Sequence, residues 1–146
     1  MSDHAAFAAK AALAVHLRAA GHEVLDLGTD GTASVDYPDF GAIGGRAVAE
    51  GRAPFGLFLC GSGIGICIAA NKVNGIRAAL VYDEFSAEMS RRHNDANVAC
   101  FGARALPQAR IASLADLFLA TPFEGGRHAA RVEKLAKIER DEAARR

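Results

Sequence analysis

The stretch of sequence that most constrains the fold runs from residue 54 to 80 and reads PFGLFLCGSGIGICIAANKVNGIRAAL. It opens with a short apolar run, FGLFLC, which is typical of a strand that is buried on both faces. A glycine-rich loop and a helix-like segment follow, and then a second buried-strand pattern, IRAALVY. A strand, a crossover helix and another strand in this order indicate two parallel strands of one sheet.

Strand-like and helix-like segments alternate along the rest of the chain. This alternation predicts a three-layer α/β/α sandwich, in which helices cover both faces of a mostly parallel sheet. Because no linker divides the sequence, we expect a single domain over residues 1–146. The further predicted strands are HEVLDLG, ending at Gly28, and VACFGA; the predicted helices cover 5–20, 38–50, about 64–72, DEFSAEMSRRHN, 107–120 and 127–143.

The first predicted helix is rich in alanine and leucine and precedes a plausible stop at Gly21. Phe7, Ala11, Ala14 and Val15 have the spacing of residues on one helix face. These four side chains could therefore share one face of the helix.

Composition excludes several classes of partner. Lysine plus arginine equals aspartate plus glutamate, at 17 each, so nothing indicates nucleic acid or an anionic membrane. No apolar stretch reaches the roughly 20 uninterrupted residues of a membrane span, and the first residues do not resemble a secretory signal. The three cysteines form no CxxC pair, which argues against a disulfide framework or zinc site and favours the cytoplasm.

A cysteine stands where the first buried strand ends, and glycines follow at alternate positions: Cys60, then Gly61, Gly63 and Gly65. In open α/β sheets, ligands bind beyond the carboxyl ends of the strands. The loop is not a dinucleotide-binding GxGxxG, because Ile66 occupies the third glycine position, and no GK[ST] follows. Its backbone N–H groups could hold an anion, either a phosphate or a transient oxyanion.

The same N–H groups would favour the thiolate form of Cys60, which could then act as a base or a nucleophile. Ser62 adds a hydroxyl group within the loop. The alternative is that Cys60 is a small core residue and that the glycines only permit close packing. Cys67 and Cys100, inside a helix and a strand, are predicted to be core residues.

Other polar residues fall at the ends of predicted elements. His93 and Asn94 end a helix, where His93 could serve as an acid or base or as a helix-terminal cation. Arg127 and Arg131 lie one helical turn apart, so they could clamp a phosphate or form a solvated face. Arg104 follows the last strand, at the carboxyl edge of the sheet.

Taken together, these segments resemble the type B ribose-5-phosphate isomerases, in the family that includes the galactose-6-phosphate isomerase subunits. The cysteine–glycine loop combined with the HND segment is the most specific part of the resemblance. The matching stretches run in the family's order over nearly the whole chain: SDHAAF, DYPDF at 36–40, CGSGIGICIAANKVNGIRAAL at 60–80, SRRHNDANV at 90–98, FGAR at 101–104 and FEGGRHAARVEKL at 123–135.

The resemblance implies a Rossmann-like sandwich that interconverts an aldose phosphate and a ketose phosphate without a metal or other cofactor. It also implies a homodimer, or a tetramer of dimers, with active sites shared between subunits. The C-terminal helix, at about 127–143, would lie at the dimer interface. His93 and some of the arginines would reach the site from the neighbouring subunit.

The resemblance also implies residue roles. Cys60 would be the base that moves a proton between C1 and C2, and Ser62 would help to shuttle the hydroxyl proton. Asp3 and His93 would assist opening of the sugar ring. The residues implied to bind substrate are His4, Arg104, Arg127 and Arg131 at the phosphate, Tyr37 and Asn94 along the sugar, and the backbone N–H groups of Gly61, Gly63, Ile64 and Gly65 at the enediolate.

One departure from the family concerns the first strand. The family normally begins with a hydrophobic strand that ends at the SDH motif, whereas here only Met1 precedes Ser2. We expect the sheet to lack this strand near its centre, which would leave apolar surface and backbone groups without partners. The departure bears on the positions of Asp3 and His4 more than on that of Cys60.

Three other functions remain open at this point. A six-carbon sugar phosphate, such as allose or galactose 6-phosphate, could be the substrate of the same chemistry. A thiol hydrolase or transferase would use Cys60 as a nucleophile and would form a covalent adduct. A sugar-phosphate-binding protein without turnover would use the same loop only to hold its ligand.

Overall fold

The computed structural model describes residues 1–145, in which three parallel strands form an open sheet covered by helices. The spatial order of the strands is β1-β3-β2, so the last strand lies between the first two. The elements are α1 (Phe7–Ala19), α2 (Tyr37–Ala49), β1 (Gly56–Cys60), α3 (Ile64–Ala70), β2 (Ala78–Leu80), α4 (Glu84–Arg92), β3 (Val98–Gly102), α5 (Gln108–Ala120) and α6 (Arg127–Ala144), with a short 3-10 helix at His4–Ala6.

Side chains that alternate along the strands separate two cores, as expected when both faces of a sheet are covered. Leu59 and Phe101 belong to the core formed with α1, α4 and α5. Phe58 and Cys100 belong to the core formed with α2 and α3. This arrangement is the three-layer α/β/α sandwich that the sequence predicts.

The prediction of a strand at HEVLDLG is wrong, because residues 22–27 form no strand in the structure. Within residues 1–145, the only pairing on that side of β1 is an isolated bridge between Ser2 and Leu59. A strand requires a neighbour that supplies hydrogen bonds, and no strand within residues 1–145 pairs with residues 22–27.

The predicted face of α1 is right for Ala14, which is buried, and wrong for Ala11 and Val15. The side chains that it buries include Leu13, Ala14 and Leu17, whereas Ala11 is exposed and Val15 is 68% exposed. An alanine-rich helix shows little contrast between apolar and polar positions, so its sequence permits more than one inward face. The two leucines, four positions apart, bury more apolar surface than alanines would and decide the orientation.

Lys10 is buried in spite of its charge, with 7% of the residue exposed. Its ammonium group donates to both carboxylate oxygens of Asp26, at 2.9 and 2.7 Å, and to the Thr29 carbonyl oxygen at 2.8 Å. Partial burial alone would raise the pKa of Asp26, but the hydrogen bonds from Lys10 and the Gly28 N–H hold this pKa below its usual value. The pair therefore ties α1 to the extended segment 22–28.

We predict that Asp26→Asn lowers the free energy of unfolding by about 2 kcal/mol at neutral pH, because the Lys10 ammonium loses its charged partner. The pKa of Asp26 is lower in the folded state than in the unfolded state. The ionised carboxylate therefore adds to the free energy of unfolding at pH values above the unfolded-state pKa. This contribution is lost as the pH falls through the folded-state pKa of Asp26. Urea unfolding should therefore show the deficit near neutrality and a smaller one in acid. Glu133→Gln, at an exposed pair with Arg140, is the control and should change stability by less than about 0.5 kcal/mol.

The last helix, α6, is covered least by the rest of the chain. Among its residues up to 145, only His128 is buried, whereas Leu135 and Ile138 are 48% and 59% exposed. Near its middle, the Glu139 carboxylate accepts two hydrogen bonds from the Gly75 N–H, at 2.9 and 3.0 Å. None of the helices within residues 1–145 combines the length and the apolar character that crossing a membrane requires.

Candidate active site

Cys60 is the last residue of β1 and is 4% exposed. Its Sγ accepts a hydrogen bond from the Gly63 N–H at 3.1 Å, and its carbonyl oxygen accepts one from Ala103 at 2.9 Å. Ser62 lies between Cys60 and Gly63 in sequence, and its Oγ accepts a hydrogen bond from the Ile64 N–H at 3.2 Å. The loop after β1 therefore turns back on the cysteine and directs an amide at its sulfur.

Gly63 makes this turn possible. Its φ of +79° lies in the left-handed region, which side chains rarely adopt. A Cβ at this position would also lie 2.7 Å from Leu80 Cδ1 and 2.8 Å from the Phe101 carbonyl carbon. The turn that brings the amide to the sulfur thus requires glycine on both conformational and steric grounds.

Two of the predicted binding residues flank the loop. The Tyr37 ring packs so closely on Gly65 that a Cβ there would lie 2.7 Å from it. The Arg104 guanidinium lies against Gly61, 3.1 Å from where a Cβ would be, and the Arg104 N–H donates to the Gly61 carbonyl at 3.0 Å. An aromatic ring and a cation therefore border the backbone that follows the cysteine.

Asp3 and His4 also lie at this edge of the sheet, as the resemblance implies. The Asp3 N–H donates to the Leu59 carbonyl at 3.3 Å, and the Asp3 carboxylate accepts from the Ala5 N–H at 3.0 Å. His4 Nδ1 lies 3.1 Å from both the amide nitrogen and the carbonyl oxygen of Val35. The short N-terminus thus still places both side chains beside the end of β1.

The remaining predicted residues form a second cluster. His93, Asn94 and Arg131 line one groove together with His128. The His93 and His128 rings are stacked, with centroids 4.1 Å apart and planes 9° from parallel, and Arg127 Nε lies 3.5 Å from His128 Nε2. Loss of hydration, followed by the charges of His93 and Arg127, lowers the pKa of His128. The guanidinium groups of Arg127 and Arg131 give the cluster its positive charge.

The cysteine loop and the His93–His128 cluster lie at opposite ends of the parallel strands. Cys60 is at the carboxyl end of β1, whereas the Gly56 N–H, at the start of β1, donates to the Asn97 carbonyl at 2.9 Å. Asn94, which accepts from Arg77 Nε at 3.2 Å, lies at that same starting edge. One copy of residues 1–145 therefore does not bring His93, Asn94, Arg127 and Arg131 to the cysteine loop.

Sequence reasoning missed His128, which is 3% exposed and stacked on His93. The available signal was its place directly after Arg127, in GGRHAAR. The stacking partner comes from another helix, so periodicity within α6 could not identify it.

A cation would fit this second cluster poorly. His93, Glu124 and His128 hold potential ligand atoms within 4.8 Å of one another. The Glu124 carboxylate, however, already accepts a hydrogen bond from Arg92 Nε at 3.3 Å, and Arg127 occupies His128. Because guanidinium groups hold both of these ligands, the chemistry of the cluster favours an anion over a metal.

The two other cysteines form a pair beside the first. Cys100 is fully buried, and a hydrogen bond with Cys67, together with burial, raises its pKa well above the usual value. Cys67 is half-buried, and the hydrogen bond with Cys100 lowers its pKa. The prediction that Cys100 is a core residue is confirmed, whereas Cys67 lies at the margin of the core.

Comparison with known proteins identifies the family. The sequence profile described as Ribose/Galactose Isomerase matches residues 1–135. The chain belongs to this family. It is 42% identical to ribose-5-phosphate isomerase B of Escherichia coli (strain K12) over 137 residues, covering 94% of this chain and 92% of that protein.

Solved structures of other family members have the same fold. Clostridium thermocellum ribose-5-phosphate isomerase B matches with a TM-score of 0.94 and 46% identity, over 96% of this chain and 95% of that one. The Mycoplasma genitalium enzyme, solved with bound ribulose-5-phosphate, matches with a TM-score of 0.91 and 38% identity, over 95% and 93%. The predicted resemblance and the Rossmann-like fold are thereby confirmed.

Proposed function

We propose that this chain is an aldose–ketose isomerase that interconverts ribose 5-phosphate and ribulose 5-phosphate through an enediolate, with Cys60 as the base. The observation that carries the proposal is the hydrogen bond from the Gly63 N–H to Cys60 Sγ at the carboxyl edge of the sheet. Relatives named ribose-5-phosphate isomerase B, similar over nearly the whole chain, support the choice of substrate.

The chemistry requires a base and a set of dipoles. A proton on the carbon next to a carbonyl is weakly acidic, and its removal places negative charge on the carbonyl oxygen. The Cys60 thiolate takes the proton from C2 of the open-chain aldose and returns it to C1, while Ser62 helps to move the hydroxyl proton. The hydrogen bond from the Gly63 N–H holds the Cys60 sulfur against the loop, where the proposal places the base.

The loop amides are proposed to hold the enediolate oxygens. In the structure, the Gly63 N–H points at the sulfur and the Ile64 N–H at Ser62 Oγ. Within residues 1–145, the N–H groups of Gly61 and Gly65 donate to no protein atom, so they are free for an oxyanion. Tyr37, packed on Gly65, is proposed to line the sugar.

The second cluster supports a shared active site. Because His93 lies at the opposite edge of the sheet from Cys60, we propose that a second copy places its His93 beside Asp3 to open the sugar ring. Arg127 and Arg131 of that copy would then bind the phosphate with His4 and Arg104, and Asn94 would contact the sugar.

Exposed apolar residues also support a homodimer, or a tetramer of dimers. Ile64 and Ile68, beside the cysteine loop, are 53% and 58% exposed, and Phe85 is 71% exposed. Leu135 and Ile138 on α6 are likewise uncovered, which supports the placement of this helix at the interface. The free thiols are consistent with work in a reducing cytoplasm, and the proposed chemistry uses no metal or other cofactor.

The test is a nuclear magnetic resonance assay of the purified protein with ribose 5-phosphate, and separately with allose 6-phosphate and galactose 6-phosphate. We expect ribulose 5-phosphate to form, and to form faster than any six-carbon product. If only the hexose phosphates are converted, the proposed substrate is wrong, but the proposed isomerisation through an enediolate stands. Inertness toward all three, with binding retained, would contradict the proposal and indicate a binding protein.

We predict that Gly65→Ala lowers kcat by roughly 10²-fold to 10³-fold, as loss of one oxyanion donor does in other enzymes. The added methyl would lie 2.7 Å from the Tyr37 ring, so either the loop amides or the ring that is proposed to line the sugar must move. Gly31→Ala is the matched control, because a Cβ there meets nothing within 4 Å. Steady-state kinetics of the two variants, with melting curves, separate a loop effect from unfolding.

A further inference from the structure

The turn that follows α4, residues 93–96, carries His93 and Asn94 and has an unusual backbone. Asp95 has a φ of +46°, and in the described part of the chain no other residue except glycine has a positive φ. Aspartate and asparagine are among the few residues with a side chain that tolerate this left-handed conformation. The Asp95 N–H donates to the Arg91 carbonyl at 3.1 Å. The chain therefore turns sharply directly after the two predicted site residues.

Two arginines from different parts of the fold hold the Asp95 side chain. Nη1 of Arg91, in α4, donates to Asp95 Oδ1 at 2.9 Å, and Nη2 of Arg77, just before β2, donates to Asp95 Oδ2 at 3.2 Å. Arg77 also holds the backbone of the turn. Its Nε donates to the Asn94 and Asp95 carbonyls at 3.2 and 3.0 Å, and its Nη2 donates to the Asp95 carbonyl at 2.8 Å. The turn is therefore fixed to both neighbours through Asp95.

Arg91 provides a rigid support for this carboxylate. The residue is 6% exposed, and its guanidinium lies 4.8 Å from the centre of the Phe55 ring. Its Nε donates to the Thr121 carbonyl at 3.2 Å, and its Nη1 donates to the Ala96 carbonyl at 2.7 Å. Within residues 1–145, Asp95 is the only acidic group that pairs with it. Because a buried charge without its partner is costly, removing the charge of Asp95 disturbs both residues.

The side chains of His93 and Asn94, in contrast, are held much less firmly than the backbone that carries them. Both line the groove of the second cluster. The His93 side chain is 38% exposed and stacks on His128, and its Nε2 lies 3.9 Å from Glu124 Oε2, which is beyond hydrogen-bond distance. The backbone of the turn therefore decides where the imidazole and the amide lie.

We propose that Asp95 is a positioning residue for the ring-opening step. By binding Arg77 and Arg91, it holds the backbone from which His93 and Asn94 reach the active site of the neighbouring copy. Asp95 itself does not contact the sugar, and its effect passes through His93. Since a displacement of about 1 Å can lower a rate by roughly 10²-fold, a loosened turn should slow ring opening. The inference rests on the proposed function, in which His93 opens the ring.

The two sugar phosphates separate ring opening from the later proton transfer. Ribose 5-phosphate is mostly a closed ring, in which O4 is bonded to C1. Opening it breaks the O4–C1 bond, adds a proton to O4 and removes the proton of the C1 hydroxyl as the aldehyde forms. Ribulose 5-phosphate has its O5 esterified, so no hydroxyl is placed to close a five-membered ring on its C2 carbonyl. Exchange of its C1 hydrogen with heavy water therefore requires the base, Cys60, and not His93.

The test measures both reactions on the full chain with Asp95→Asn, since asparagine also tolerates the left-handed φ. We expect kcat for ribose 5-phosphate to fall roughly 10-fold to 100-fold. Deuterium should enter C1 of ribulose 5-phosphate at a rate within about threefold of the wild type. Asp116→Asn is the matched control, because this carboxylate pairs with His16 and its loss should change neither rate. Arg77→Gln, at a side chain that is 29% exposed, should repeat the selective loss if Asp95→Asn does not fold.

A double variant shows whether Asp95 acts through His93. If it does, adding Asp95→Asn to His93→Ala should lower the residual ribose 5-phosphate activity by less than about twofold, since the group being positioned is already gone. A purely structural role would instead multiply the two losses and would slow deuterium exchange as well. That result would contradict the inference.

Two further outcomes would overturn the inference. One is a kcat for ribose 5-phosphate within about threefold of the wild type in both Asp95→Asn and Arg77→Gln. The other is a parallel loss of isomerisation and deuterium exchange in both variants. The wild type and Cys60→Ala decide the proposed function separately. If the wild type introduces no deuterium into ribulose 5-phosphate, or Cys60→Ala introduces it as fast, the proposed function fails and this inference fails with it.

Discussion

Replacing Cys60 with alanine is expected to lower kcat for ribose 5-phosphate isomerisation by about 10³-fold, with a much smaller change in KM. The variant keeps the loop, the arginines and the ring-opening residues but has no group that can accept the proton from C2. Cys60→Ser should fall nearly as far, because a hydroxyl of similar size is a far weaker base than a thiolate. Coupled kinetic assays with both sugar phosphates measure the effect.

The controls for this experiment lie beside the site. Cys67→Ser, at a half-buried thiol that the proposed chemistry does not use, should keep kcat within about threefold of the wild type. Isothermal titration should show that Cys60→Ala still binds ribose 5-phosphate. If Cys60→Ala retains a tenth or more of the activity, or if mass spectrometry of the wild type finds a covalent substrate adduct on Cys60, the assignment of a base is wrong.

Mixing two inactive variants is expected to restore about a quarter of the wild-type activity. Cys60→Ala and His93→Ala each remove one half of every site, since the two residues lie at opposite edges of a protomer's sheet. In a mixed dimer, the unaltered Cys60 of one chain faces the unaltered His93 of the other, so one site of two is complete. Half of the dimers formed at random are mixed, and each has one complete site of two, so the sample has a quarter of the wild-type number of active sites.

The measurement is activity after the two variants have been unfolded together and refolded, compared with each variant refolded alone. Tags of different charge allow the mixed dimer to be purified and assayed by itself, where half of the wild-type activity per dimer is expected. A mixed dimer as inactive as its parents would contradict the shared site. It would place the acid for ring opening in the same chain as the base.

The parts of the fold that could be predicted from sequence are those with strong local signals. α5 and α6 begin and end within one residue of the prediction, because a proline or glycine marks each start. β1 and β3 follow continuous apolar runs. β2 is shorter than IRAALVY suggests. Within residues 1–145 it pairs only with β3, and the backbone N–H of Arg77, just before it, donates to Asn97 Oδ1 at 2.8 Å instead of to a strand.

The errors have a different origin, since they concern contacts between distant segments. HEVLDLG has the composition of a strand, but pairing depends on a neighbour that its own sequence cannot reveal. The stacking of His128 on His93 joins α6 to the end of α4, and no periodicity within either helix specifies it. The cysteine loop was predictable because strand end, turn and glycine pattern all lie within a few consecutive residues.

The central claim is that Cys60 carries a carbon-bound hydrogen of the substrate, and isotope exchange in heavy water tests it most directly. The wild type should introduce deuterium at C2 of ribose 5-phosphate and at C1 of ribulose 5-phosphate, because a thiol that has taken up a proton can exchange it with solvent. Cys60→Ala should introduce almost none over the same time. Deuterium incorporation by Cys60→Ala at the wild-type rate would contradict the account.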